Sequence, residues 1–211
     1  MIVCEIFESI QGESTYSGLP CFFVRLAGCN LRCTYCDTIY AYEGGEELGI
    51  EDIIDRAERS RLGLVCITGG EPLLQTDVFS LVPGLIDRGF TVLVETNGSM
   101  SISGMDRRAV MIMDMKTPKS GMSDRMDLGN LKLLKRSDQL KFVIADRGDY
   151  IWARDMVVGR DLQDLCTVLL SPAFGLLDPR DLVRWILEDR LRVRLNLQLH
   201  KYIFGPHERG V

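Results

Sequence analysis

Hydrophobic positions along the chain gather into short runs that alternate with amphipathic stretches. The runs "CFFVRLA" (21–27), "LVCIT" (64–68), "TVLVE" (91–95), "VMIMD" (110–114), "LKFVI" (140–144), "TVLLS" (167–171) and "VRLNLQL" (193–199) are β-rich and predict strands. Helix-like patterning occupies 50–61, 76–88, 148–158 and 179–190. The last of these has good start chemistry: Asp178 can cap it, and Pro179 suits the first helical position. Thr76 or Asp77 lies near the start of the second. Such alternation predicts a mainly parallel sheet covered by helices, either open or curled into a barrel. Segment 96–109 is poor in helix signal and 115–130 reads as loop, so the expected cover is incomplete. With 211 residues, no internal repeat and no low-complexity linker, the expectation is one domain spanning 1–211.

Polar or glycine-rich motifs follow the strands directly. "TGGEP" follows the second strand, "ETNG" the third, "DMKTPKSG" the fourth, "SP" the sixth and "QLHK" the seventh. In parallel α/β proteins the carboxyl ends of the strands share one face, and that face carries the site. Turn chemistry is the competing explanation for any single motif; five converging motifs favour a site.

Composition narrows the class. Hydrophobic residues make up 46% and charged residues 26%, as in ordinary globular proteins. The net charge of −5 argues against nucleic acid as a main partner. The opening "MIVCEIFESIQGE" lacks the basic start of a signal peptide, and no apolar run nears the ~20 residues of a membrane span. The expectation is a cytoplasmic protein with no membrane partner, whose seven cysteines stay reduced. Cys4, Cys21, Cys66 and Cys166 sit in apolar, strand-like runs and read as buried small hydrophobes.

The other three, Cys29, Cys33 and Cys36, lie close together in "AGCNLRCTYCDT" (27–38). Three is awkward for a closed zinc site, which takes four ligands, and for a redox pair, which takes two. An iron–sulfur cube has four irons, each wanting a terminal ligand; three cysteines leave one iron open for a substrate or cofactor. The alternatives are a zinc site completed by a distant Cys or His, the histidines available being His200 and His207, and a thioredoxin-like pair in "CTYC", which would not explain Cys29.

This spacing, with "TGGEP" after the next strand, is similar to that of the radical S-adenosylmethionine (SAM) superfamily. More specifically, "IFESIQGES" (6–14), "FFVRLAGCNLRCTYCDT" (22–38), "ITGGEPLL" (67–74), "ETNG" (95–98), "KTPKSG" (116–121), "LKFVI" (140–144), "LLSP" (169–172) and "NLQLHK" (196–201) resemble the 7-carboxy-7-deazaguanine synthase family over nearly the whole chain. The resemblance implies a 4Fe-4S cluster on Cys29, Cys33 and Cys36. The open iron would chelate S-adenosylmethionine, and reductive cleavage would give a 5′-deoxyadenosyl radical. It also implies a lyase of queuosine and deazapurine biosynthesis, converting 6-carboxy-5,6,7,8-tetrahydropterin to 7-carboxy-7-deazaguanine with loss of ammonia. Carried over residue by residue, Tyr35, Gly69, Gly70, Glu71, Lys116, Thr117, Lys119 and Ser171 would serve S-adenosylmethionine. Gln11, Gly12, Glu13, Arg25, Thr68, Glu95 and His200 would serve the pterin, and Thr38 would ligate Mg2+. Family members often carry "SPK" where this chain reads "KTPK".

Chemistry independent of the resemblance supports parts of this set. A pterin offers ring donors that suit a carboxylate, and its own carboxylate suits an arginine. Arg25 interrupts an otherwise apolar strand, glycines at 69 and 70 let backbone approach a cofactor, and a neutral Thr38 hydroxyl is a plausible single Mg2+ ligand. His200 has a packing role as its alternative. The chain is shorter than a full eight-fold barrel of ~250 residues. The expected fold is therefore α/β, a partial (β/α) barrel of about six mainly parallel strands with reduced helical cover. The resemblance further implies a homodimer and a one-electron donor such as flavodoxin or ferredoxin. Two competing functions remain at this point: an activating enzyme for glycyl radical proteins, and a zinc-stabilised interaction module using the three cysteines and His200.

Overall fold

The computed structural model describes residues 1–206 and 208–211; His207 lies outside the described residues. In chain order the strands are β1 (Ile2–Ile10), β2 (Pro20–Leu26), β3 (Glu46–Glu47), β4 (Leu64–Gly69), β5 (Thr91–Thr96), β6 (Val110–Asp114), β7 (Gln139–Ile144), β8 (Thr167–Pro172) and β9 (Arg194–Leu195). The helices are α1 (Ile50–Ser60), α2 (Val78–Asp87), α3 (Arg147–Gly159), α4 (Leu162–Leu165), α5 (Pro179–Glu188) and α6 (Leu199–Ile203). All the strands join one sheet in the order β3-β1-β2-β4-β5-β6-β7-β8-β9. From β2 to β9 every neighbouring pair is parallel, whereas β1 pairs antiparallel with both β2 and β3. The sheet is open, with β3 and β9 at its edges, in keeping with a partial barrel.

The two faces of the sheet differ. On one, Val24, Leu26, Ile67, Val94, Met113, Phe142 and Leu170 pack against the helices in the main core. α1 contributes Ile53, Ile54 and Ala57, and α2 contributes Val78, Leu81, Val82 and Leu85, each set spaced to share one helix face. The opposite face carries a small second core, including Cys21, Phe23, Cys66, Leu93 and Ile112, at the amino-terminal half of the strands. Further along that face the period-2 positions turn polar: Arg25, Thr68, Glu95 and Asp114 continue the rows begun by those apolar residues, and Lys141 follows Gln139 on β7. Register aligns them into a band, with Glu5 opposite Arg25, Arg25 opposite Thr68, and Asp114 opposite Lys141.

Helix boundaries follow local chemistry. The Asp178 carboxylate accepts from Arg180 N–H at 2.9 Å ahead of α5, and the Asp146 carboxylate accepts from Asp149 N–H at 2.9 Å ahead of α3. Segment 96–109 holds no helix, and 115–130 holds only short 3-10 turns. Two expectations need correction. Strand 193–199 survives only as Arg194–Leu195, because Asn196 and Gln198 turn inward to bond buried polar groups: Asn196 Nδ2 donates to Ser171 Oγ at 2.8 Å, and Gln198 Nε2 donates to Glu13 Oε1 at 2.9 Å. Cys4, read as buried, is half-buried on β1, near the sheet edge.

Candidate active site

The polar band floors a cavity of about 760 Å³ at the carboxyl ends of the parallel strands. Its walls include Gln11, Gly12 and Glu13 after β1, the loop after β2 with all three cysteines, Gly69 and Gly70 at the end of β4, and Gln198, His200 and Lys201 at the start of α6. The site thus spans residues far apart in sequence.

At one end the loop after β2 presents Cys29, Cys33 and Cys36, all free thiols and all half-buried. Among the described residues no three His, Cys, Asp or Glu side chains converge tightly enough to hold a single metal ion. The donor set suits a cluster, whose irons are each held by one thiolate around its perimeter. His200, the zinc reading's fourth ligand, packs instead on Gly12, where an added Cβ would lie 2.1 Å from its Nδ1.

Glycines and a buried carboxylate build the platform behind the loop. A Cβ on Gly69 would lie 2.1 Å from Leu26 O, and one on Gly70 would lie 2.0 Å from Gly28 O and 2.8 Å from Cys29 Cβ. Their bareness lets β4 close on the cysteine loop, a packing demand additional to cofactor approach. Glu71 is fully buried and does not line the cavity. Its N–H donates to Gly28 O at 2.7 Å; its carboxylate accepts from Leu73 N–H, Thr96 hydroxyl and Asn97 N–H at 3.0, 2.9 and 2.6 Å. Burial raises its pKa against those bonds. "GGEP" and "ETNG" are therefore one hydrogen-bonded frame.

Tyr35 lines the cavity, and its hydroxyl meets Thr117 Oγ1 at 3.1 Å; burial pushes its pKa up to about 12. Lys116 also lines the cavity, paired with Asp114 at 2.9 Å. Thr117 and Ser171 are buried behind the wall, and Lys119 is exposed and pairs with Asp146 at 3.2 Å, so none of these three reaches the cavity surface.

At the other end, Arg25 lies between the Phe7 and Tyr40 rings and donates from Nε to Glu5 Oε1 at 2.6 Å. Glu95 accepts from the Thr68 hydroxyl at 2.9 Å and from Gln11 Nε2 at 3.4 Å. Glu13 pairs with Lys141 at 2.8 Å, and although burial opposes ionisation, Lys141 holds the carboxyl down at about 2. Burial lowers the His200 pKa, opposed by Glu13, which favours the neutral ring at neutral pH. Thr38 donates to Asp37 Oδ1 at 3.0 Å, which leaves its own lone pairs for another partner.

Several cavity residues escaped the sequence reading: Asp37, Asp114, Lys141 and Lys201. Lys141 gave the same signal as Arg25, a charge inside an apolar run. Asp37 sits beside a cluster cysteine and pairs with Lys201, 164 residues away, a link no local pattern encodes.

Comparison with known proteins now decides the family. The Radical SAM superfamily matches residues 24–113. The 7-carboxy-7-deazaguanine synthase of Chlorobaculum tepidum is 44% identical over 99% of this chain and 96% of its own length. That of Koribacter versatilis is 42% identical over the full length of both. The chain belongs to the 7-carboxy-7-deazaguanine synthase family. In fold, this family member superposes on the crystal structure of QueE from Escherichia coli with TM-score 0.77, at 24% identity over 94% of each chain. Streptococcus suis SuiB bound to S-adenosylmethionine aligns with TM-score 0.60 at 13% identity, over 83% of this chain and 51% of that one. As a 7-carboxy-7-deazaguanine synthase family member the chain is a radical SAM enzyme, a lyase, and its cofactors include a 4Fe-4S cluster and S-adenosylmethionine.

Proposed function

We propose that the protein converts 6-carboxy-5,6,7,8-tetrahydropterin to 7-carboxy-7-deazaguanine, contracting the ring and releasing ammonia. The observation that carries this reading is the polarity of the cavity: three thiols at one end, and a half-buried arginine, two glutamates and a histidine at the other. When bound, the cluster and S-adenosylmethionine supply a 5′-deoxyadenosyl radical able to abstract a hydrogen atom.

The chain's own groups bind and orient. Cys29, Cys33 and Cys36 hold the cluster, while backbone at Gly69 and Gly70 with Tyr35 and Lys116 forms the wall beside it. Glu71, Thr117 and Ser171 stiffen that wall from behind. Arg25 uses Nε for Glu5 and keeps further N–H donors for a substrate carboxylate. Glu95 and Glu13 offer acceptors to pterin N–H groups, with Gln11, Thr68 and neutral His200 completing the hydrogen-bonding surface. The Thr38 hydroxyl offers an oxygen to Mg2+. The reading includes a homodimer and a flavodoxin- or ferredoxin-like reductant on the strength of the resemblance, and one domain over 1–211 and a cytoplasmic setting on the strength of length and composition. No helix is long and apolar enough to cross a membrane among the described residues.

The test is anaerobic incubation with the tetrahydropterin, S-adenosylmethionine, reductant and Mg2+, followed by mass analysis. The deazaguanine carboxylate is expected. Deoxyadenosine formation without that product would reject the substrate assignment.

A further inference from the structure

One side chain beside the cysteine loop has a fixed orientation that substrate binding does not explain. Asn97, in "ETNG", is only 6% exposed and follows the end of β5. Its backbone N–H is held by Glu71 at 2.6 Å. Its side-chain Oδ1 accepts from Ser99 N–H at 3.0 Å and from the Ser99 hydroxyl at 2.6 Å. A backbone N–H can only donate, so this contact fixes which end of the amide is oxygen. Nδ2 therefore faces the cysteine loop. It donates to Asn30 Oδ1 at 3.0 Å and to Cys29 Sγ at 3.9 Å. Leu31 N–H donates to the same sulfur at 3.5 Å, so two N–H donors converge on Cys29.

We propose that Asn97 is a positioning residue for the redox step: its amide, aimed at Cys29, sets the reduction potential of the cluster that this thiol holds. The inference rests on the cluster reading above. Hydrogen bonds to ligand sulfurs tune iron–sulfur potentials. The reduced cluster carries one more negative charge than the oxidised one, so a donor to its sulfur stabilises the reduced form more and raises the potential. Glu71 and Ser99 lock the amide before any cluster arrives, which makes the donor part of the protein frame.

The experiment is an anaerobic redox titration of the reconstituted wild type, Asn97→Ala and Asn97→Leu, with no S-adenosylmethionine or substrate, followed by electron paramagnetic resonance of the reduced cluster. Alanine removes the donor and opens space; leucine removes it and refills the space. Both variants should keep full iron and titrate at lower potential. The reduced-to-oxidised ratio at the wild-type midpoint should fall about tenfold, equivalent to ~59 mV for one electron. Wild-type potentials in both variants would overturn the proposal. So would a shift in Asn97→Ala alone, which would point to solvent entry, or loss of iron from both, which would make Asn97 a structural prop of the loop. A wild type that assembles no four-iron cluster would instead bring down the cluster reading itself.

Discussion

Lys141→Met should unfold the substrate end of the cavity more than its conservative size suggests. The Lys141 ammonium lies 2.8 Å from Glu13 and 3.6 Å from Asp114, and the three side chains are 12%, 14% and 16% exposed. Methionine fills much of the same volume and leaves Glu13 buried without its cation. The carboxyl of Glu13 sits at about 2 against an ordinary 4.5. Breaking a buried pair by removing one partner costs about 3–5 kcal/mol. Asp114 retains Lys116 at 2.9 Å, so Glu13 carries most of the loss. The assay is urea denaturation at pH 7, read by Trp152 and Trp185 fluorescence, for Lys141→Met, Glu13→Gln and the double variant. Lys141→Met should lose about 3 kcal/mol, and the double variant should recover part of it, because the uncompensated charge is gone. Since the folded-state pKa of Glu13 is depressed, the pair's stabilisation is complete above about pH 4.5 and is lost as pH falls towards 2. Strictly additive variants, or a loss below about 0.5 kcal/mol in Lys141→Met, would refute the reasoning.

Further outcomes follow from the same geometry. Thr38→Ala should lose magnesium stimulation of turnover while keeping cluster content, with Thr38→Ser retaining part of it; coincident Mg2+ titrations would reduce Thr38 to a loop residue. Gly70→Ala drives a Cβ to 2.0 Å from backbone oxygen, so it should destabilise by about 1–3 kcal/mol and lower iron content on reconstitution, both measurable directly. Arg25→Ala and Glu95→Gln should impair substrate binding by about 1–3 kcal/mol each without loss of cluster iron; wild-type pterin affinity in both would move the pocket elsewhere. Cys33→Ala should lose deoxyadenosine production and part of its iron, whereas Cys166→Ala should keep the brown colour.

What the chain could declare locally, it declared. Asp178 and Asp146 cap helices through their own side chains, and the apolar runs of β4 to β8 can form little but strands, because these features need only near neighbours in sequence. The cysteine spacing was equally local: three thiolates on one loop state their chemistry before any fold exists. The antiparallel strand β1 was less legible, since its half-buried pattern of mixed polar and apolar residues resembles a loop edge as much as a strand.

Tertiary structure decided which side of each strand faces the cavity. The amino-terminal halves of these strands are apolar on both faces, so a single charge such as Arg25 or Lys141 does not by itself show which neighbours it meets, and only register brings Arg25, Thr68, Glu95, Asp114 and Lys141 into one band. It also ended β9 early, because Asn196 and Gln198 find buried partners at Ser171 and Glu13 that exist only once the sheet is assembled. Glu71 makes the distinction clearest. The motif that contains it marks the radical SAM superfamily from sequence alone, yet its carboxylate turns away from the cavity to hold Leu73, Thr96 and Asn97, since a buried carboxylate must take donors where folding places them.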